Sequence, residues 1–451
     1  MREHGGNMKN LTDTLHDLHA GRVSATQLVQ LALIQAKEAG ATFISLLEAS
    51  ALEQAHQTDL RRLHRQPLSP FDGVPIAVKD LFDVKGSVTT AGSLMRSAIA
   101  PATKDAAVIQ NLRRLGMIVI GKTNLSEFAY SGLGLNPGFG TPVAQSDSAY
   151  VRAPGGSSSG SAIAVQRGIV TAALGTDTAG SIRVPAAFNG LAGFKSSTAR
   201  YDLRGVHPLA VTLDSLGPIA RTVEDCRLLD SAMRGCLPTQ AKPVALDEHC
   251  FVVDSEVLND SKIQSAVAAN LRLFVDQLKQ RGAQVEWRSV NTVRRTRALI
   301  STSGWLGAIE AWALLHTVVE DADAGRMDPR VRSRLLKAKD ISIHTHSLLR
   351  DARRRLQGEM AQELGDRILL LPTVLHVAPA LAALEADDDV FAQVNLDTLA
   401  ITMVGSLLDM PGVAMPSGID ESGLPTSVLF SSLTGQDDRL LDICCAIEQA
   451  L

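Results

Sequence analysis

From Val74 onward the chain breaks into short apolar runs, Pro75 to Val78, Met117 to Ile120, Ile169 to Leu174 and Leu191 to Phe194, separated by helical or glycine-rich pieces. Runs this short, rich in β-branched residues, fit strands covered on both faces better than they fit buried helices. Their alternation with helical stretches predicts an α/β architecture. Length constrains less: 451 residues exceed an ordinary domain, yet large single-sheet enzymes reach that size.

The flanking segments read differently. Residues 9–60 predict helices, with Ser24 and Gln27 forming a capping-box pattern and Leu28, Leu31 and Ile34 following at helical spacing until Gly40. After a hinge, QPLSPFDG, a core spans 66–235 and closes with a helix over 222–235, capped by Thr222, with Leu228, Leu229 and Met233 inside and Gly235 past its end. From about 255 to 365 the chain reads as mostly helical, an insertion or lid carrying Trp305, Trp312 and an arginine-rich run from Arg330 to Arg355. From 366 the strand-like pieces Ile368 to Leu371 and Gly412 to Met415 rejoin the sheet, so that 1–451 reads as a single domain.

Hydrophobic residues at 45% and charged residues at 20% place the chain among ordinary globular proteins. A net charge of −4 gives no electrostatic support for direct binding of nucleic acid or an anionic membrane. Five cysteines, Cys226, Cys236, Cys250, Cys444 and Cys445, lack zinc-ligand spacing and read as reduced core thiols of a cytoplasmic protein. The N-terminal MREHGGNMKNLTDTL has no apolar leader pattern, and no run reaches the ~18 apolar residues of a membrane span.

Two motifs point to chemistry that their context rejects. Gly116 to Thr123 fits the written pattern of a phosphate-binding loop, but the order is inverted: a helix precedes Gly116, and Met117 to Ile120 is itself a strand, with no flexible turn for phosphate. Gly156-Ser157-Ser158-Ser159-Gly160 fits the nucleophile elbow of α/β-hydrolases, yet SDSAYVRAPG before it is polar and proline-containing rather than a strand, and His207 in GVHPLAV reads as a loop histidine.

Three polar constellations remain, in order: Gly73 to Asp80 (GVPIAVKD), Gly155 to Ser161 (GGSSSGS), and Gly175 to Pro185 (GTDTAGSIRVP). Lys79 ends an apolar strand run, where desolvation favours the neutral amine and makes it a competent base. Glycine-flanked Ser157 can be placed between that lysine and a nucleophile. In the third segment small residues precede a short helix that runs through Pro185 to about Asn189-Gly190, and backbone N–H groups entering such a turn can converge on an oxyanion.

At these residues the sequence resembles the amidase signature family, through GGSSSGSA (155–162) and GTDTAGSIRVPA (175–186), supported by GVPIAVKDLFDVKG (73–86), DAAVIQNLRRLGMIVIGKTNLSEFAYSG (105–132), LDSLGPIARTVEDC (213–226) and, more loosely, MPGVAMPSGI and GLPTSV. The resemblance implies a large mixed twisted sheet covered on both sides by helices. It implies Ser181 as nucleophile, Ser157 as proton relay held by a cis peptide bond, and Lys79 as base, with the N–H groups of Thr178, Ala179, Gly180 and Ser181 as oxyanion hole and no metal or cofactor. Ser158 would hydrogen-bond to the relay. Asp177 and Arg183 would support the loop, and Ala129 and Tyr130 would line the substrate pocket. Ala179 and Ser159 stand where the family more often has glycine, and PVAQSDSAYVRAP replaces its usual tryptophan-containing loop.

The expected activity is hydrolysis of the linear C–N bond of a small amide through a seryl acyl-enzyme, with release of ammonia or an amine. The DTAG variant is similar to ureide-cleaving members, of allophanate or biuret type. Two other functions stay open: the A subunit (glutaminase) of a glutamyl-tRNA amidotransferase, and a catalytically inactive interaction protein, against which retention of all three residues argues. The assembly is open between a homodimer and a small partner subunit.

Overall fold

The computed structural model describes residues 8–144 and 150–451. The start of the N-terminal stretch and the QSDSA part of the divergent loop before the serine-rich segment lie outside them. Eleven strands form one sheet: β1 (Phe43–Leu46), β2 (Pro75–Lys79), β3 (Ile118–Thr123), β4 (Ala172–Asp177), β5 (Ala192–Lys195), β6 (Ser215–Ala220), β7 (Cys250–Asp254), β8 (Gln284–Arg288), β9 (Ile368–Pro372), β10 (Gly412–Ile419) and β11 (Pro425–Ser431). Their order is β1-β3-β2-β4-β6-β5-β10-β11-β9-β7-β8, and helices flank the sheet.

The sheet is mixed. β3, β2 and β4 run parallel, with Lys79 beside Thr123 and Val78 beside Leu174. Every residue of these three strands is buried, as expected of parallel strands covered on both faces. Their carboxyl ends therefore bring Lys79, Thr123 and Asp177 to one edge, the position where open α/β sheets place their ligands.

The helix Ala25–Glu38 forms where the capping box predicts it: Ser24 Oγ accepts from Gln27 N–H, and Gln27 Oε1 accepts from Ser24 N–H. Its buried face is rotated from the expected one. Ala25, Leu28, Val29, Ala32, Leu33 and Ala36 pack inward, while Ile34 lies outside. Small alanines let the helix approach the sheet, so the stripe follows them rather than the largest side chains. The helix Val223–Met233 is capped by Thr222, whose hydroxyl accepts from Asp225 N–H.

Five strands were not legible. β6 contains Gly217 and Pro218, residues that weaken a strand reading. Pro218 is tolerated because β5 pairs only with Ile219 and Ala220, leaving the proline past the end of that ladder. β7 and β8 pair in parallel around the helix Ser265–Gln280, so the first part of the expected helical insertion belongs to the sheet. The stretch beyond it is helical: Asn291–Ser303, Leu306–Val319, Pro329–Ala338 and Ile343–Leu364. β1, inside the expected N-terminal helices, and β11 complete the set.

Cys226, Cys444 and Cys445 are buried thiols, but Cys236 is exposed and Cys250 half-buried, so the core-thiol reading holds for three of the five. Among the described residues no single helix is long and apolar enough to cross a membrane. The bent pair Asn291–Ser303 and Leu306–Val319 has the length and composition for a broken span, and buries Val293, Leu306, Ala311 and Leu315 against other parts of the chain.

Candidate active site

The turn from β3 disposes of the phosphate-loop motif. The helix Ala107–Arg114 leads through Gly116 into β3, and Lys122, fully buried, pairs with Asp80 at 2.5 Å and donates to Val88 O and Thr89 Oγ1. The elbow motif fares likewise: Ser158 is fully buried, and its hydroxyl bonds to Thr176 O.

Lys79, by contrast, ends β2 with no acidic partner at its ammonium among the described residues. Its Nζ lies 2.7 Å from Ser157 Oγ and 2.8 Å from Thr176 Oγ1, and the residue is fully buried. Burial lowers its pKa to about 7, against the opposing pull of Asp177 and Asp214. Both partners are hydroxyls, which can donate to a neutral amine as readily as accept from an ammonium. A proton can therefore move between lysine and Ser157 near neutral pH.

Ser157 is reached through a cis Gly156–Ser157 peptide bond, and its carbonyl accepts from Ser126 N–H. Ser158 N–H then holds the carbonyl of Ser181 at 3.2 Å, tying the serine-rich segment to the following one. The Ser158 hydroxyl goes to Thr176 O rather than to Ser157, a correction to its expected link with the relay.

The segment after β4 is shaped by Asp177. Its carboxylate accepts from Gly180 and Ile182 N–H and pairs with Arg183 through Nε and Nη2, each at 2.9 Å. Burial works to raise the Asp177 pKa, but Arg183 and Lys195 hold it below the usual carboxylate range. Because Gly180 N–H is spent on this carboxylate, the expected oxyanion donors reduce to Thr178, Ala179 and Ser181. Among the described residues no protein group accepts from those three N–H groups. Gly180 has φ +141°, and a Cβ there would come within 2.3 Å of Thr402 Oγ1, so no other residue fits.

Sequence reasoning missed the groups that brace this turn. Thr402 Oγ1 donates to Ala179 O at 2.6 Å, and Ser406 Oγ accepts from Arg183 Nη2 at 2.8 Å. Both come from a helix, Thr402–Leu407, more than two hundred residues downstream, and no local motif marks them. Asp214 accepts from Thr178 Oγ1 and from Leu209 and Ala210 N–H. Burial lifts its pKa to about 6 despite those donors. It sits within the LDSLGP stretch, which was the available signal.

Ala129 and Tyr130 pack beneath the later helices. Ala129 is buried in a cluster with Leu81, Leu125 and Leu315, and the Tyr130 ring lies 4.7 Å from the Arg334 guanidinium, which also donates to Tyr130 O. Glu127 anchors the same loop to Asp328 N–H.

The pattern of the amidase family matches residues 25–441. The chain is 33% identical over an alignment of 469 positions to mandelamide hydrolase of Pseudomonas putida, covering 95% of this chain and 89% of that enzyme. It is 44% identical over an alignment of 482 positions to the A subunit of the glutamyl-tRNA(Gln) amidotransferase of Ralstonia nicotianae, covering 96% of both. A crystal structure of an amidase superposes with a TM-score of 0.87 at 29% identity, covering 98% of this chain and 100% of that one. The buried lysine between two hydroxyls, the braced turn at Ser181 and these likenesses lead to one assignment: the chain belongs to the amidase family.

Proposed function

We propose that the protein, acting as one domain, hydrolyses a small linear amide through Ser181, with Ser157 as proton relay and Lys79 as base. The observation that carries this reading is Lys79, fully buried between Ser157 Oγ and Thr176 Oγ1 with a pKa of about 7. Neutral Lys79 takes the Ser157 proton while Ser157 takes that of Ser181, whose oxygen attacks the carbonyl carbon. The N–H groups of Thr178, Ala179 and Ser181 stabilise the oxyanion, each such donor contributing ~3–4 kcal/mol in other acyl-transfer enzymes. The proton returns through Ser157 to the leaving nitrogen, the C–N bond breaks, and water attacks the acyl-enzyme by the same relay in reverse. Likeness to mandelamide hydrolase supports a simple amide, and ureides belong to the same test set.

A second reading, the glutaminase component of a tRNA-dependent amidotransferase, is favoured by the 44% identity to the Ralstonia protein. An ammonia-release screen over simple amides, ureides and glutamine separates the two. Release from simple amides by the chain alone supports the first, and glutamine cleavage that needs further subunits supports the second. Release that persists in Ser181→Ala sinks the mechanism.

A further inference from the structure

The carbonyl of Ala179 and the N–H of Gly180 belong to one peptide unit, and both ends of that unit have a partner. Ala179 O accepts from Thr402 Oγ1 at 2.6 Å, and Gly180 N–H donates to Asp177 Oδ1 at 2.7 Å. The unit is planar, so holding both ends fixes its orientation. Ala179 N–H lies in the peptide before it and Ser181 N–H in the peptide after, so the angle between these two donors is set across the held plane. We propose that Thr402 is a positioning residue for acyl transfer: its buried hydroxyl holds the Ala179–Gly180 peptide so that Ala179 and Ser181 N–H converge on the oxyanion. This rests on the reading of Ser181, Ser157 and Lys79 given above.

The helix Thr402–Leu407 acts on both ends of the peptide. Thr402 and Ser406 stand four residues apart, hence on one face, and each reaches the turn. Thr402 takes the carbonyl end directly. Ser406 Oγ accepts from Arg183 Nη2 at 2.8 Å, and the same Nη2 donates to Asp177 Oδ1, the oxygen that holds the N–H end. Helix and turn meet too closely for any side chain at Gly180, which keeps the hydroxyl against the peptide.

Thr402 Oγ1 has a second acceptor, Leu399 O, at 3.2 Å. A single proton serves the two unequally, and the shorter contact to Ala179 O takes the larger share. Without that donor the plane is held only at its Asp177 end, and Gly180, lacking a Cβ, resists rotation weakly. The N–H groups would then have to reorganise as charge develops on the substrate oxygen, the step that a prearranged oxyanion site avoids. The loss therefore falls on kcat.

Valine at 402 would set a methyl where the hydroxyl lies 2.6 Å from Ala179 O, so the test uses Thr402→Ala, with Thr402→Ser to restore the hydroxyl alone. On the amide cleaved fastest in the ammonia-release screen, kcat of Thr402→Ala is expected to fall by about tenfold or more with KM within about twofold, and Thr402→Ser to stay within about threefold of wild type. The same order is expected in the rate at which diisopropyl fluorophosphate labels Ser181, followed by mass spectrometry. There Ser181 Oγ bonds phosphorus, fluoride leaves, the hydroxyl proton passes to Ser157, and the phosphoryl oxygen takes the oxyanion position. A thermal scan checks that each variant is folded, and Thr402→Cys, near in size and a weak donor, replaces Thr402→Ala if that one is not. Equal rates in wild type and the folded variant without the hydroxyl, or equal losses in that variant and Thr402→Ser, overturn the proposal while Ser181 stands as nucleophile. Wild type that takes no label at Ser181 overturns the reading of the nucleophile and the proposal with it.

Discussion

The strands and turns from β2 to β6 and the helices from Asn291 to Leu364 handle charge in opposite ways. In the first region two ion pairs are fully buried. Asp177 and Arg183, and Asp80 and Lys122, all have no accessible side-chain surface, and Asp177 is further bound by backbone N–H groups. In the second, pairs such as Arg354 with Asp351 stand in solvent, their side chains 74% and 68% exposed. A buried ion is tolerated only where partners replace the water it has lost, so its neighbours are fixed by chemistry. An exposed ion is solvated whatever stands beside it, so its pattern records solubility and little else.

The arginine-rich run shows the boundary between the two regimes. Arg354 and Arg355 lie on the outer face. Arg330 pairs with Asp328 and stacks over Phe391, Arg334 covers Tyr130, and Arg353 donates to Leu407 O. The run is thus partly a solvated face and partly a set of ties to the rest of the molecule.

Four expected effects would break or sharpen this contrast. The largest effect is expected from Ser181→Ala: amide hydrolysis falls by about 10⁴-fold or more with the melting temperature nearly unchanged, read by ammonia release and calorimetry. Arg183→Met leaves Asp177 as an unpaired buried carboxylate and should destabilise the fold by roughly 3–5 kcal/mol in a denaturant titration. If stability were unaffected, the matched-ion account of the core would be wrong.

The third effect is in the pH profile. Lys79 is depressed to about 7, so the neutral base disappears as pH falls below that value, and kcat/KM should drop about tenfold per unit on the acid side and level off above. Asp214→Asn removes an anion that raises the lysine's pKa, which moves that limb to lower pH. A limb that stayed in place would mean that Asp214 does not act on the base. The smallest effect is expected from Arg354→Ala in the outer helix, a change within about 0.5 kcal/mol. A larger loss there would show that the helical cover is held by its surface charges.

Much of the candidate site was legible because its parts are local in sequence. Lys79 follows a run of buried strand, the cap on the helix Arg183–Phe188 comes from Asp177 six residues earlier, and glycines mark the turns. The reading went wrong where one group had two possible partners. Gly180 N–H was counted toward an oxyanion but serves Asp177, and Ser158 was linked to Ser157 but bonds Thr176 O. Local spacing cannot choose between acceptors that compete at similar distance.

By itself the sequence determined the α/β alternation, the helix starts at Ser24 and Thr222, and the three polar segments in which Lys79, Ser157 and Ser181 stand, because caps, strand runs and glycine turns act over a few residues. Tertiary structure alone decided that Lys79 meets both Ser157 and Thr176, and that Thr402 and Ser406 brace the Ser181 turn. Those contacts join segments up to more than two hundred residues apart. Their energies come from packing and desolvation in the folded chain, which no local pattern encodes.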